Sequence, residues 1–284
     1  MKELSKISNR IFPSAFRHCN KYQKRIVGGI VLLLVLLSNN LYAAPVGYPA
    51  SATPSEILTH LLNGEYKVNV KGVKWNATPG DIHEFNGQLW EKSVLYSFVD
   101  TTMVISRENE KVYYTIFRTA PMMTNEDGEF VNANSCHVCG VALGYFSYTI
   151  EDDSIYIQKF KRNFATHGSF GEKSYSLSII NLGDDYELLK VDDPYEGMGT
   201  ASVATRFYQE GELMLSMISK ENNRGNTYEN QKGYYEFKTE YAYNDKAHTI
   251  TIKQTGYRID EQKGKRILIN KIKKLNFDNY TLQF

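Results

Sequence analysis

A rhythm in the sequence limits what this chain can fold into. Ten short runs rich in Val, Ile, Tyr, Phe and Thr, at 93–99, 111–119, 145–150, 154–160, 174–182, 201–209, 213–219, 234–243, 248–257 and 266–275, are separated by turn signals such as EDD, GDD, EG, ND and QKG. Within "SIYIQKF" or "HTITIKQTGY" the side chains alternate with a period of two, which sends successive residues to opposite faces of a sheet. Of the 21 tyrosines, 19 lie beyond residue 43, and aromatic and β-branched side chains suit a half-buried pleated surface. Short turns between consecutive strands leave antiparallel neighbours, because a parallel pair needs a crossover of roughly a dozen residues or more. The expected fold is therefore all-β: an antiparallel meander, arranged as a sandwich or a barrel. The absence of strand–helix alternation excludes a doubly wound nucleotide fold, and no repeat of fixed period supports a propeller. The longest stretches without strand character are 121–135 and 219–233. Loops of that length are where binding residues are commonly carried.

One helix is signposted ahead of the strands. In "TPSEILTHLLNG", Thr53 suits the N-cap with Glu56 three residues on, Pro54 suits the first helical position, and Gly64 comes after the end. Ile57, Leu58, Leu61 and Leu62 share one face, which must pack on the chain beyond it. The expected layout is a signal segment at 1–43, an N-terminal piece with this helix at 44–64, and an all-β domain at 65–284 that is one body or two subdomains.

The first 43 residues decide the compartment. Arg17, Lys21, Lys24 and Arg25 precede the apolar run Ile26–Leu37, after which come "SNN" and then "LYAAP". A positive flank, a short apolar core and small residues in that order read as a secretory signal, cleaved after Ala43 and leaving a chain that starts at Ala44. The apolar run is well short of the ~20 residues that a helix needs to cross a bilayer, so no stable membrane span is expected after cleavage. The location expected is periplasmic or secreted. Removing the signal takes away seven Lys and Arg and one acid, so the formal charge goes from +1 to −5. Residues 232–284 are basic, with 11 Lys and Arg against 6 acids, but these cations are spread through strand-like sequence and read as solvated faces and edge protection. Nucleic acid is not expected as a partner.

That compartment bears on "NANSCHVCGVALG", residues 132–144, which holds the two cysteines beyond the first twenty residues. Covalent haem attachment needs His directly after the second cysteine, where this chain has Gly140. A thioredoxin-like dithiol would use Cys136 at the start of a short helix through "CHVCGVALG", with His137 lowering the thiol's pKa, but that chemistry sits on a βαβ scaffold which is missing here. Zinc needs two further ligands, for which His83 and His167 are the weak candidates alongside Cys136 and Cys139. A local disulfide between Cys136 and Cys139 is the remaining reading, since two cysteines alone in an oxidising compartment tend to pair. Its role would be to shape the loop, because so short a ring restricts few unfolded conformations.

The order "SCHVCGVALGYF", "HGSFGEKSYSLSIINLG" and "YEGMGT" resembles an uncharacterised family of exported bacterial proteins marked by a Cys-His-x-Cys segment, a Gly-Ser-aromatic-Gly turn and a later Gly-x-Gly, over roughly residues 134–245. The resemblance implies no activity. It implies that Cys136, His137 and Cys139 form one region with Gly168, Ser169 and Gly171; His137, His167, Gly168, Ser169 and Gly171 are the candidate functional region. Ser169 does not fit a nucleophile elbow, which needs Gly where His167 stands and a helix where strand comes next. "DDPYEGMG" at 192–199 does not match a calcium loop and reads as a solvated acidic turn. No catalytic residue and no cofactor is assigned. The functional expectation is a non-catalytic binding or inhibitor-like module whose partner is an unknown protein or envelope component; the alternative is a thiol-disulfide or zinc-dependent protein using Cys136 and Cys139.

Overall fold

In the computed structural model, residues 47–284 form one unit built on two antiparallel sheets. The structure describes residues 47–78, 94–107, 110–133, 136, 139–183, 186–277 and 281–283; the expected signal segment, His83 and His137 lie outside them. The chain begins with β1 (Tyr48–Pro49), helix α1 (Pro54–Leu61), β2 (Glu65–Lys67), β3 (Gly72–Asn76), β4 (Val94–Ser106) and β5 (Lys111–Ala120). A small hairpin comes next, β6 (Met122–Thr124) with β7 (Phe130–Asn132), before β8 (Val141–Glu151) and β9 (Ser154–His167). The first sheet runs β1-β9-β8-β5-β4-β3-β2. The second is a continuous meander of β10 (Ser176–Asn181), β11 (Glu187–Gly197), β12 (Thr200–Gln209), β13 (Glu212–Asn222), β14 (Tyr235–Asn244), β15 (Thr249–Ile259), β16 (Arg266–Asn276) and β17 (Thr281–Gln283).

The all-β expectation holds, and each of the ten runs falls largely within a strand. The acidic turn after β8 puts Asp152 and Asp153 at φ 46° and 58°, the left-handed pair whose twist matches the flanking strands of a two-residue hairpin. Helix α1 starts as its sequence indicates: the Glu56 amide donates to Thr53 Oγ1 (3.2 Å), and the Thr53 amide donates to the Glu56 carboxylate (2.7 Å). Ile57, Leu58 and Leu62 are buried against Trp75, Leu95, Phe117 and Phe146 on one face of the first sheet.

Three local expectations are corrected. Val141–Leu143 do not continue a helix from Cys136; they open β8, where Ala142 pairs with Thr119 on one side and Thr166 on the other. Two ladders outweigh any local helical preference, and Val141–Thr149 is buried on both faces because this central strand lies between α1 and the second sheet. Residues 121–135 are not strandless, since Met122–Thr124 pairs with Phe130–Asn132 around a turn in which Asn125 Oδ1 accepts from the Glu129 amide (2.7 Å). Three-residue strands are too short for alternation to reveal. Asp192 and Asp193 are not in a solvated turn but inside β11, with Asp193 facing the first sheet. Pro194 is tolerated there because β10 stops pairing at Asp192, so the missing amide costs no ladder bond on that side.

The second face of the first sheet packs on the second sheet. Val141, Leu143 and Ala165 meet Val191, Tyr208 and Tyr175 in a shared core, while Leu188, Phe207, Ile250, Ile252 and Leu275 form a further core within the curl of the second sheet. Each Val, Leu, Ile or Phe among them contributes about 1.5–3 kcal/mol when fully buried. Polar bridges join the two sheets: Arg107 grips Glu187 in a bidentate pair (2.9 and 2.9 Å) that also receives the Tyr114 hydroxyl, and His167 reaches Asp193.

Candidate functional site

The site is built where β9 leaves the first sheet. After His167 the chain turns through Gly168, Ser169, Phe170 and Gly171, and the Glu172 amide donates back to the Ser169 carbonyl (2.9 Å). The turn needs left-handed backbone: φ is +86° at Gly168, +52° at Phe170 and +71° at Gly171. Glycine meets that demand freely, whereas a phenylalanine held there is a strained choice. Ser169 is thus a turn residue, as its neighbours indicate.

Cys136 and Cys139 form a disulfide, with their Cα atoms 4.9 Å apart. The Cys139 carbonyl accepts from the Gly171 amide (2.7 Å), and Asn132 Nδ2 donates to the Gly171 carbonyl (2.8 Å). The glycine turn is therefore held to β7 by Asn132 and to the stapled loop by Cys139. This brings Cys136, Cys139, His167, Gly168, Ser169 and Gly171 into one region.

His167 is fully buried in that region. Its Nδ1 lies 3.2 Å from Asp193 Oδ2 and 3.3 Å from an Arg206 guanidinium nitrogen, and its Nε2 lies 2.9 Å from the Tyr208 hydroxyl. The Asp193 carboxylate also accepts from the Gly168 amide (3.2 Å). Burial by itself would raise the Asp193 carboxyl, but the hydrogen bond and charge of His167, the Gly168 amide and Arg206 together hold it below its ordinary value. Burial pushes the Tyr208 phenol up to about 12, with Asp193 adding to the rise and Arg206 opposing it. Both ring nitrogens of His167 face these partners. Among the described residues, no group of three or more His, Cys, Asp and Glu is arranged to hold a metal ion.

A second buried carboxylate, Asp100, supports the neighbouring surface. Its side chain is 0% exposed, pairs with Arg118, receives the Tyr175 hydroxyl at 2.5 Å and lies 3.7 Å from Lys173 Nζ. Burial and then the charge of Asp100 push the Tyr175 phenol far above the ordinary range. Above this pair opens a groove of about 800 Å³. Its floor is the face of the first sheet at Phe98, Arg118, Ala120 and Val141; the hairpin of β6 and β7 forms one wall and residues 170–173 form another. The Arg118 guanidinium stacks 5.0 Å from the Phe98 ring centre, and Phe130 is steadied edge-on by Tyr96 (4.9 Å). Phe170 stands in the wall at 50% exposure.

The residues that sequence reasoning did not single out are those supplied by distant strands: Phe98, Asp100 and Arg118 from β4 and β5, Phe130 from β7, and Arg206 and Tyr208 from β12. Phe170 lies inside the HGSFG turn, and its place between two glycines was the available signal. Comparison with protein-family models, curated proteins and solved structures finds no match to this chain. No helix among the described residues is long and apolar enough to cross a membrane.

Proposed function

We propose that this chain is an exported, non-catalytic binding protein of the cell envelope and that the groove beside the Cys136–Cys139 staple is its recognition site. The carrying observation is the link from staple to groove: Cys139 and Asn132 hold both backbone groups of Gly171, and so fix the strained, half-exposed Phe170 in the wall of an open groove. A volume of this order, with aromatic rings set among side-chain amides and charged groups, is that of a small-ligand or segment-binding cleft. Backbone strain of this kind is maintained where surrounding structure over-determines it, commonly at ligand clamps. A binding role is supported over a catalytic one because His167, which leads into the turn, is buried with both ring nitrogens engaged. Export rests on the segment 1–43, and intact mass of the periplasmic form should correspond to a chain beginning at Ala44.

The test is site-specific photo-cross-linking in the exported protein, with the reactive residue at Val131 or Phe170 and, as a control, at Tyr228, which is 79% exposed on the loop 223–234. A discrete adduct at the groove positions, weakened when both cysteines are replaced by Ser, is the expected result. The same adducts from position 228 would overturn the reading.

A further inference from the structure

We infer that the ligand of this groove is a neutral oligosaccharide; the inference rests on the groove being the recognition site. Charge decides first. Among the described residues, Arg118 and Lys173 are the cations lining it, and both lean on the buried Asp100, the one in direct contact and the other at 3.7 Å, while Glu172 adds a further carboxylate to the lining. Two cations against two carboxylates leave no surplus with which to hold an anion, and an unpaired charge on the ligand would have to displace one of these pairs.

Shape and wall chemistry decide next. A fatty acyl chain asks for an enclosed apolar tunnel, and this groove is open and carries Asn69, Asn132, Glu172 and Lys173 beside its aromatic rings. A peptide captured as an added strand draws its affinity from a run of main-chain hydrogen bonds. The hairpin beside the groove has strands of only three residues, which offer too few. A pyranose chain matches what remains. Its ring faces are apolar CH surfaces that lie on Phe130 and Phe170, and its hydroxyl edges both donate and accept, as side-chain amides, a carboxylate and an ammonium group require. The staple would then serve affinity by pre-ordering the wall, so that little entropy is lost on binding.

The assay is calorimetric titration of the protein purified from the periplasm with maltotetraose, cellotetraose and chitotetraose, with a tetragalacturonate, a capped neutral hexapeptide and palmitate as counter-probes. The diagnostic variant is Phe170→Gly, which removes the ring and suits the φ of +52°, so the turn itself should persist. Saturable binding of at least one neutral tetrasaccharide, weakened tenfold or more by Phe170→Gly and absent for tetragalacturonate, is expected. If no tetrasaccharide saturates by about 5 mM, the saccharide assignment is wrong. If the hexapeptide or palmitate binds instead and Phe170→Gly removes that binding, the ligand class is wrong and the groove remains the site. Tetrasaccharide binding that Phe170→Gly leaves unchanged would remove the groove itself.

Discussion

Asp193 shows how single residues carry the join between the two sheets. Its carboxyl is held below the ordinary value of 3.8, so its stabilising contribution is fully present above that value and is lost as pH falls through the lowered one. Asp193→Asn should therefore cost roughly 2 kcal/mol or more near neutrality, since it leaves Arg206 and the buried His167 without their anion. The cost should begin to shrink as pH drops below about 4, where the unfolded chain takes up the proton, and should be lost once the folded Asp193 is protonated at its lowered value. Urea midpoints of both proteins between pH 2.5 and 7 test this; a pH-independent difference would mean that the carboxylate's charge is not what matters. Tyr208→Phe removes the hydroxyl at His167 Nε2 and should cost about 1 kcal/mol in the same assay.

Among the elements, the staple and the central strand are expected to respond in opposite ways. Replacing Cys136 and Cys139 by Ser should cost little global stability, at the low end of the ~0–5 kcal/mol range for disulfides, because the closed ring is so short. Its effect should fall on the wall of the groove, as faster amide hydrogen exchange at Gly171, whose amide is held by the Cys139 carbonyl. Strand β8 has no such tolerance. A Cβ at Gly144 would run into the Phe117 ring and the Arg162 carbonyl, so Gly144→Ala should destabilise by about 1–3 kcal/mol through overpacking. Denaturant unfolding of the two variants separates the cases, and equal losses would contradict the distinction between a shaping and a packing role.

The molecule as a whole has one joint between its sheets that is both apolar and polar. Leu143 and Val141 reach Val191 and Tyr208 across it, and Arg107–Glu187 and His167–Asp193 bridge it. The sheets should consequently unfold together. Far-UV circular dichroism, reporting both sheets, and fluorescence from Trp75, buried under α1 in the first and isolated by Trp90→Phe, should give coincident transitions. Leu143→Ala, at the shared core, should lower both midpoints by an amount equivalent to about 2–5 kcal/mol. A first transition seen by only one probe would show that each sheet stands alone.

The strands, the helix with its cap, and the antiparallel meander were legible in the chain alone, because these rest on local signals: a period of two, tight acidic turns, and Thr53 three residues before Glu56. Its motifs also drew Cys136, Cys139 and the glycine turn into one region. The short strands of the β6–β7 hairpin left no such mark, and Asp192 and Asp193 read as solvated although β11 carries both. The hairpin strands are too short for alternation to show, and the aspartates are polar residues whose burial is decided by partners far away in the chain, such as His167 for Asp193. Folding in three dimensions was needed to set Asp100 against Arg118 and Tyr175, and to lay the glycine turn across Cys139. Such contacts join residues tens of positions apart, and a buried charge is stabilised by the group opposite it in space, which no periodicity along the chain encodes.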